Sequence, residues 1–100
     1  MLNLEVKQEG ATATVLMDGM LDAATAGEFK ETLAKIPEDV KSITVDMDKL
    51  RYTSSAGLRV ILELQNRMDK SGGQLTFTHV DENIQEVFDD TGFSEFITIV

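Results

Sequence analysis

The sequence predicts an α/β domain with a mixed β-sheet, in which an N-terminal hairpin precedes parallel βαβ units and α-helices pack on the strands. Three observations predict it: two alternating apolar segments around a Glu9-Gly10 turn, a later alternation of strand-like and helix-like segments, and a single proline. Strand–helix–strand alternation implies right-handed parallel crossovers. A chain of 100 residues has room for one core, so we expect residues 1–100 to form one domain.

The hairpin is predicted from side-chain alternation. Leu2, Leu4 and Val6 alternate with polar residues, which is typical of a half-buried strand. Residues 12–17 (TATVLM) alternate again after the turn. Two such segments joined by a short turn predict an antiparallel pair.

The first helix is predicted from its apolar spacing and its caps. Asp22 and Thr25 are both candidate caps, and Thr25 with Glu28 fits a capping box. The apolar residues that recur at helical spacing are Ala26, Phe29, Leu33 and Ile36.

Five further elements complete the predicted order. A strand is predicted at residues 43–47, a helix at 54–70, a strand at 75–78, a helix capped by Asp81 at 81–91, and a last strand at 96–100. Glycines follow both helices and accept the left-handed conformation that ends a helix.

Composition excludes several classes of function. A formal net charge of −9 opposes binding to nucleic acid or anionic membranes, and either favours a neutral or basic protein partner or merely keeps the chain soluble. The absence of cysteine excludes thiolate chemistry. No apolar run approaches the roughly 20 residues that span a bilayer, and the N-terminus lacks a signal-peptide pattern. We therefore expect a cytoplasmic location without membrane insertion.

The most informative segment is the start of the second helix, at Ser54 and Ser55. Serine is a preferred N-cap, and the amides and dipole at a helix N-terminus favour an anion. A phosphate on one of these hydroxyls would be compatible with the fold, yet it would add about −1.5 to −2 charges to a surface contacted by a partner. The alternative, from the residues alone, is that these serines only cap the helix.

The apolar arc of the second helix spans roughly 200°, wider than a core-facing stripe of about 100°. We interpret Val60 and Leu64, which lie beside the main stripe, as the best candidates for exposure in a docking strip. The alternative is a helix wedged between the sheet and its neighbours. The residues of the main stripe are Leu58, Ile61, Leu62 and Met68.

The sequence shows no convergent acid, base and nucleophile, so we expect no catalytic residue, no metal and no cofactor. His79 is the only histidine and is expected at the surface, since no Gly-x-Ser-x-Gly motif accompanies it. Asp46 and Asp48 lack the loop pattern of a calcium site. The methionines expected to fill the core are Met17, Met20, Met47 and Met68.

Three motifs in register resemble the STAS domain and, within it, the bacterial anti-sigma factor antagonists (anti-anti-sigma factors). Residues 52–58 (YTSSAGL) are similar to the family's Asp-Ser-Ser/Thr-Gly-Leu at a helix start. Residues 19–22 (GMLD) are similar to its Gly-x-Leu-Asp, and residues 87–93 (VFDDTGF) to its Phe-x-x-Thr-Gly-Leu/Phe. The match covers essentially the whole chain and implies a STAS-like fold.

The resemblance also implies a function. Unphosphorylated family members bind an anti-sigma factor that is also a serine kinase, which frees a sigma factor for transcription. Phosphorylation of the serine after the motif aspartate blocks the complex, and a serine phosphatase restores it. By position that serine is Ser55, with Ser54 as a second possible acceptor. The residues implied in partner binding are Asp22, Thr53, Ser54, Ser55, Ala56, Gly57, Arg59, Val60 and Leu64.

This chain departs from the family pattern at three positions. Ser54 replaces the motif aspartate, Ala56 stands where Ser or Thr is usual, and Met20 stands where an acidic residue is common. The missing aspartate bears on kinase recognition. It favours an alternative in which the domain is a scaffold, or an accessory subunit of a signalling or transporter assembly, without phosphorylation. A small enzyme has the least support.

Overall fold

Strands and helices alternate in the predicted order. A computed structural model describes residues 1–100. The strands are β1 (Leu2–Glu9), β2 (Thr12–Leu21), β3 (Ser42–Thr53), β4 (Gln74–Thr78) and β5 (Thr98–Ile99). The helices are α1 (Ala26–Ala34), α2 (Ser55–Ser71) and α3 (Glu82–Asp90), with a 3-10 turn at Phe93–Glu95. None of them is long and apolar enough to cross a bilayer.

The five strands lie in sequence order across one sheet. β1 is antiparallel to β2, and every later pair is parallel. Each crossover moves one strand in the same direction, so right-handed crossovers place all three helices on one face. Burial agrees: the neighbours Val15, Val45 and Phe77 are fully buried, whereas the next residue of each strand is half-exposed. This architecture confirms the predicted fold class.

The predicted ends of α2 and α3 are confirmed by their caps. Ser54 and Asp81 are the N-caps, and the Asp81 carboxylate accepts from the Ile84 amide at 2.9 Å. Gly72 follows α2 and Gly92 follows α3, both with φ in the left-handed region. A residue with a Cβ adopts this conformation only at a cost, which is why glycine marks these ends.

β3 is longer than the predicted strand 43–47, because its pairing with β2 continues to Thr53. Two register shifts interrupt that pairing, between Leu16 and Asp18 and between Gly19 and Met20. After Met47 the buried positions of β3 come at every third residue. The alternation that predicts a strand therefore stops at Met47, while the backbone pairing does not.

The last strand is shorter than the predicted 96–100. The amides of Phe96 and Ile97 both donate to the carbonyl of Phe93 at 3.0 Å, so the chain is still turning there. Pairing with β4 begins only at Thr98. Phe96 and Ile97 thus form local hydrogen bonds to one carbonyl and do not pair with β4 as the expected strand would.

Candidate functional site

The carboxyl ends of β2 and β3 meet beside the start of α2. Leu21 pairs with Thr53 at the end of the two strands, and the Ser54 amide donates to the Leu21 carbonyl at 2.8 Å. α2 begins at the next residue, Ser55. The turn between β2 and α1 therefore lies next to the N-terminus of α2, although more than 30 residues separate them in sequence.

Ser54 caps α2 and is half-buried. Its backbone is extended, its Oγ accepts from the Gly57 amide at 3.4 Å, and its carbonyl accepts from the Leu58 amide at 3.0 Å. These are the contacts of an N-cap residue, which satisfies amides that have no intrahelical acceptor. The Ser54 hydroxyl is thus already engaged in the fold.

Ser55 is the first residue of α2, and its side chain is exposed. Its hydroxyl makes no hydrogen bond to the rest of the chain. The residue lines a hollow of about 340 Å³ between α1 and α2, which also borders on Ala26, Gly27 and Arg59. The Ser55 hydroxyl is therefore the accessible one of the two.

Asp22 holds the turn between β2 and α1. Its Oδ1 accepts from the amides of Ala24 at 3.0 Å and Thr25 at 3.1 Å. The Thr25 hydroxyl donates to the Met20 carbonyl at 2.8 Å and makes no capping bond to α1. The predicted capping box of Thr25 and Glu28 is therefore wrong, because that hydroxyl is drawn back to the end of β2.

Four of the nine residues implied in partner binding are buried, and two of these four lie at the strand ends. Thr53 is buried at the end of β3, and Gly57 is buried where α2 crosses Leu21. They hold the helix against the strand ends. The half-exposed Ala56 and the exposed Arg59 face outward beside Ser55.

The prediction that Val60 and Leu64 are exposed is wrong. Their exposed fractions are 7% and 3%, because α1 covers this side of α2, and Leu33 borders the groove between the two helices. Leu62, which the spacing assigned to the core stripe, is instead 40% exposed. The helix is wedged between the sheet and α1, which confirms the alternative interpretation of its wide apolar arc.

Two exposed apolar side chains lie beside the site, and the sequence analysis did not predict their exposure. Met20 and Tyr52 are neighbours in the register of β2 and β3, and they are 43% and 46% exposed. The core role predicted for Met20 is wrong, because β2 alternates without interruption as far as Leu21 and Met20 falls on its outward face. Their signal in the sequence is their position within the motifs at residues 19–22 and 52–58.

His79 lies apart from this site. Its side chain is exposed, as expected, and Nδ1 is 3.1 Å from Oδ1 of Asp46. The backbone of His79 has a positive φ of 56° just after β4. The contact with Asp46 joins the β4 end to the middle of β3.

A mixed β-sheet packed by α-helices, with a serine at the start of the second helix, is the architecture that the motifs predict. The family model of the STAS domain matches residues 3–100. The chain belongs to the STAS domain family, which confirms the resemblance.

Two relatives support this assignment by sequence. The anti-sigma-B factor antagonist of Bacillus subtilis (strain 168) is 28% identical over 98 residues, which are 98% of this chain and 90% of that protein. BtrV of Bordetella bronchiseptica, provisionally named an anti-sigma factor antagonist, is 30% identical over 78 residues, 77% of this chain and 67% of that protein.

The fold is shared with the anti-sigma factor antagonist SpoIIAA of Bacillus. The TM-score is 0.77 to both its unphosphorylated and its phosphorylated form, with 15% and 14% identity. Each comparison covers 98% of this chain, and 87% and 91% of the two SpoIIAA chains. At this level of identity the likeness establishes the fold.

Proposed function

We propose that this chain is an anti-sigma factor antagonist whose binding is controlled at Ser55. In its unphosphorylated form it binds an anti-sigma factor that is also a serine kinase, and so regulates sigma-factor-dependent transcription in the cytoplasm. Phosphorylation of Ser55 releases the partner, and a serine phosphatase reverses the modification. The observation that supports this most is an exposed, unbonded hydroxyl at the first residue of α2.

Accessibility favours Ser55 over Ser54 as the acceptor. In the transfer, Oγ forms a bond to the γ-phosphorus of ATP, the bond to ADP breaks, and ADP leaves with its electron pair. The hydroxyl proton passes to a base on the kinase. Ser54 would have to give up its capping contact with the Gly57 amide, whereas Ser55 makes no contact to lose.

We define the docking surface as the exposed and half-exposed residues around Ser55. It combines apolar side chains at the ends of β2 and β3 with a carboxylate and a cation, a mixture typical of protein interfaces. Its residues are Met20, Asp22, Tyr52, Ser55, Ala56 and Arg59.

A phosphate on Ser55 would change the docking surface without disturbing the fold. The first turn of α2 contains no acidic residue, and a helix N-terminus favours negative charge by about 0.3–1 kcal/mol when exposed. A partner seated over the same point would have to desolvate about −1.5 to −2 charges. Phosphorylation therefore destabilises the complex with the partner and leaves the folded chain stable.

The direct test compares Ser55→Asp with wild type by calorimetric titration of the purified anti-sigma factor. We expect a loss of at least about 100-fold in affinity, equivalent to about 2.7 kcal/mol, with no comparable loss of stability. Asn66→Asp is the matched control, because it adds the same charge to an exposed position of α2 about 16 Å farther along. Wild-type affinity in Ser55→Asp contradicts the proposal.

A second experiment separates the regulated antagonist from an unphosphorylated scaffold. The scaffold is the alternative favoured by Ser54, which stands where the family has an aspartate. The chain is incubated with its cognate kinase and ATP, and its intact mass is measured. We expect one phosphate, which Ser55→Ala removes and Ser54→Ala retains. An unmodified mass supports a constitutive scaffold or accessory subunit.

A further inference from the structure

Ser55 and Arg59 lie on the same face of α2. They are four residues apart, a spacing that places Cβ atoms about 5–6 Å from each other on a helix. Both border the same hollow of about 340 Å³ between α1 and α2. A group attached to Ser55 Oγ would therefore extend into the space that the Arg59 side chain reaches.

Arg59 is the unpaired cation of that hollow. Its side chain is exposed and makes no hydrogen bond or ion pair within the chain. The other cation, Lys30 of α1, is 3.4 Å from the carboxylate of Glu63. Glu63 is the only acidic residue that borders the hollow, and its charge is offset by Lys30.

We propose that Arg59 is the intramolecular binding site for the phosphate carried by Ser55, an inference that rests on the proposed phosphorylation of that residue. A guanidinium presents paired N–H donors that match two phosphate oxygens, and such charge-assisted bonds are stronger than neutral ones. The spacing Ser55–Arg59 allows the contact without any change in the helix.

The pairing would give phosphorylation a second effect on the docking surface. In the unphosphorylated chain Arg59 is free to contact a partner, whereas in the phosphorylated chain its guanidinium is held by the phosphate. The modification would then add an anion and remove a cation at one place. The other cation of the hollow, Lys30, is paired with Glu63.

The test uses protein with phosphoserine incorporated at position 55 during synthesis, so it needs no kinase. The second pKa of the phosphate, ordinarily near about 6, is measured by phosphorus NMR titration. An adjacent cation favours the dianion, so we expect Arg59→Gln to raise this pKa by roughly 0.2–0.4 unit, the size of an i, i+4 ion pair. Lys70→Gln, with the same charge change about 22 Å along α2, should leave it unchanged.

Equal phosphate pKa values in wild type and Arg59→Gln overturn the inference, as does an equal rise in Lys70→Gln. Either result leaves the proposed function intact, because partner release by phosphorylation is measured separately. Conversely, a chain that no kinase modifies still reports whether Arg59 holds a phosphate placed at Ser55.

Discussion

Gly57 determines how closely α2 approaches the end of β2. A Cβ at this position would lie 2.5 Å from Cγ of Leu21 and 2.9 Å from Oγ1 of Thr53. Leu21 is fully buried, so it has little room to move away. The absence of a side chain therefore allows the contact between the Ser54 amide and the Leu21 carbonyl, which places Ser55 at the strand ends.

Gly57→Ala should lower the free energy of unfolding by about 1–3 kcal/mol, because overpacking outweighs the helix propensity of alanine. Gly27→Ala is the matched control: it lies in α1, nothing is within 4 Å of the added Cβ, and stability should rise by about 0.5–1 kcal/mol. Urea unfolding measures both. Equal stability of the two variants would show that Leu21 moves without cost.

At the scale of elements, one arginine joins α1 to α2. The Arg67 guanidinium of α2 donates to the carbonyls of Leu33 at 2.9 Å, Ile36 at 2.8 Å and Pro37 at 3.3 Å. The last carbonyls of a helix have no intrahelical donor, and no basic residue occupies the last turn of α1. α2 thus supplies donors to the last turn of α1 and to the segment that follows it, and holds α1 over Val60 and Leu64.

Arg67→Met keeps much of the side-chain length but removes the donors, and should cost about 1.5–3 kcal/mol of stability. The measurement is again urea unfolding. Arg59→Met, at an exposed position of the same helix without hydrogen bonds, should change stability by less than about 0.5 kcal/mol. A cost shared by both variants would assign the effect to lost charge and not to capping.

A carboxyl at the end of α3 makes the free energy of unfolding depend on pH. Hydrogen bonds from Ser94 and then from Gln85 hold the pKa of Asp89 below its ordinary value of 3.8. A carboxyl with a depressed pKa in the folded chain stabilises it above the unfolded pKa, and that contribution is lost as pH falls through the folded pKa. The loss therefore occurs below pH 3.8.

Asp89→Asn should remove this contribution, so its urea midpoint should fall less steeply than that of wild type as pH is lowered through this range. Asp90→Asn makes the same charge change at the next exposed residue and serves as the control. Parallel midpoint curves for wild type and Asp89→Asn would contradict the assignment.

At the scale of the whole molecule, sheet order decides which strands are held most firmly. β3 is the central strand, and from Ser42 to Asp46 it pairs with β2 on one side and β4 on the other. β5 has only two residues and pairs on one side. Unfolding of the centre requires loss of both neighbours, so the centre opens only with the entire sheet.

Hydrogen exchange measured by NMR should therefore be slowest for amides near Val15 and Val45 and fastest in Thr98–Val100. This difference in exchange rate is expected because the short edge strand can open locally while the rest of the sheet stays intact. Uniform protection across all five strands would indicate that β5 opens only with the whole domain.

The order of elements and the start of α2 follow from local signals. These signals are side-chain alternation, helical spacing and the caps at Ser54, Asp81, Gly72 and Gly92. Each acts within a few residues, so it can be recognised in the sequence alone. The sequence places both serines at the helix start, but only the structure distinguishes the capping hydroxyl of Ser54 from the exposed hydroxyl of Ser55.

Which apolar side chains of α2 face the solvent depends on tertiary packing. Val60 and Leu64 are buried because α1 packs on them, and Leu62 is exposed because nothing does. These outcomes depend on contacts between segments distant in the chain, which no local period encodes.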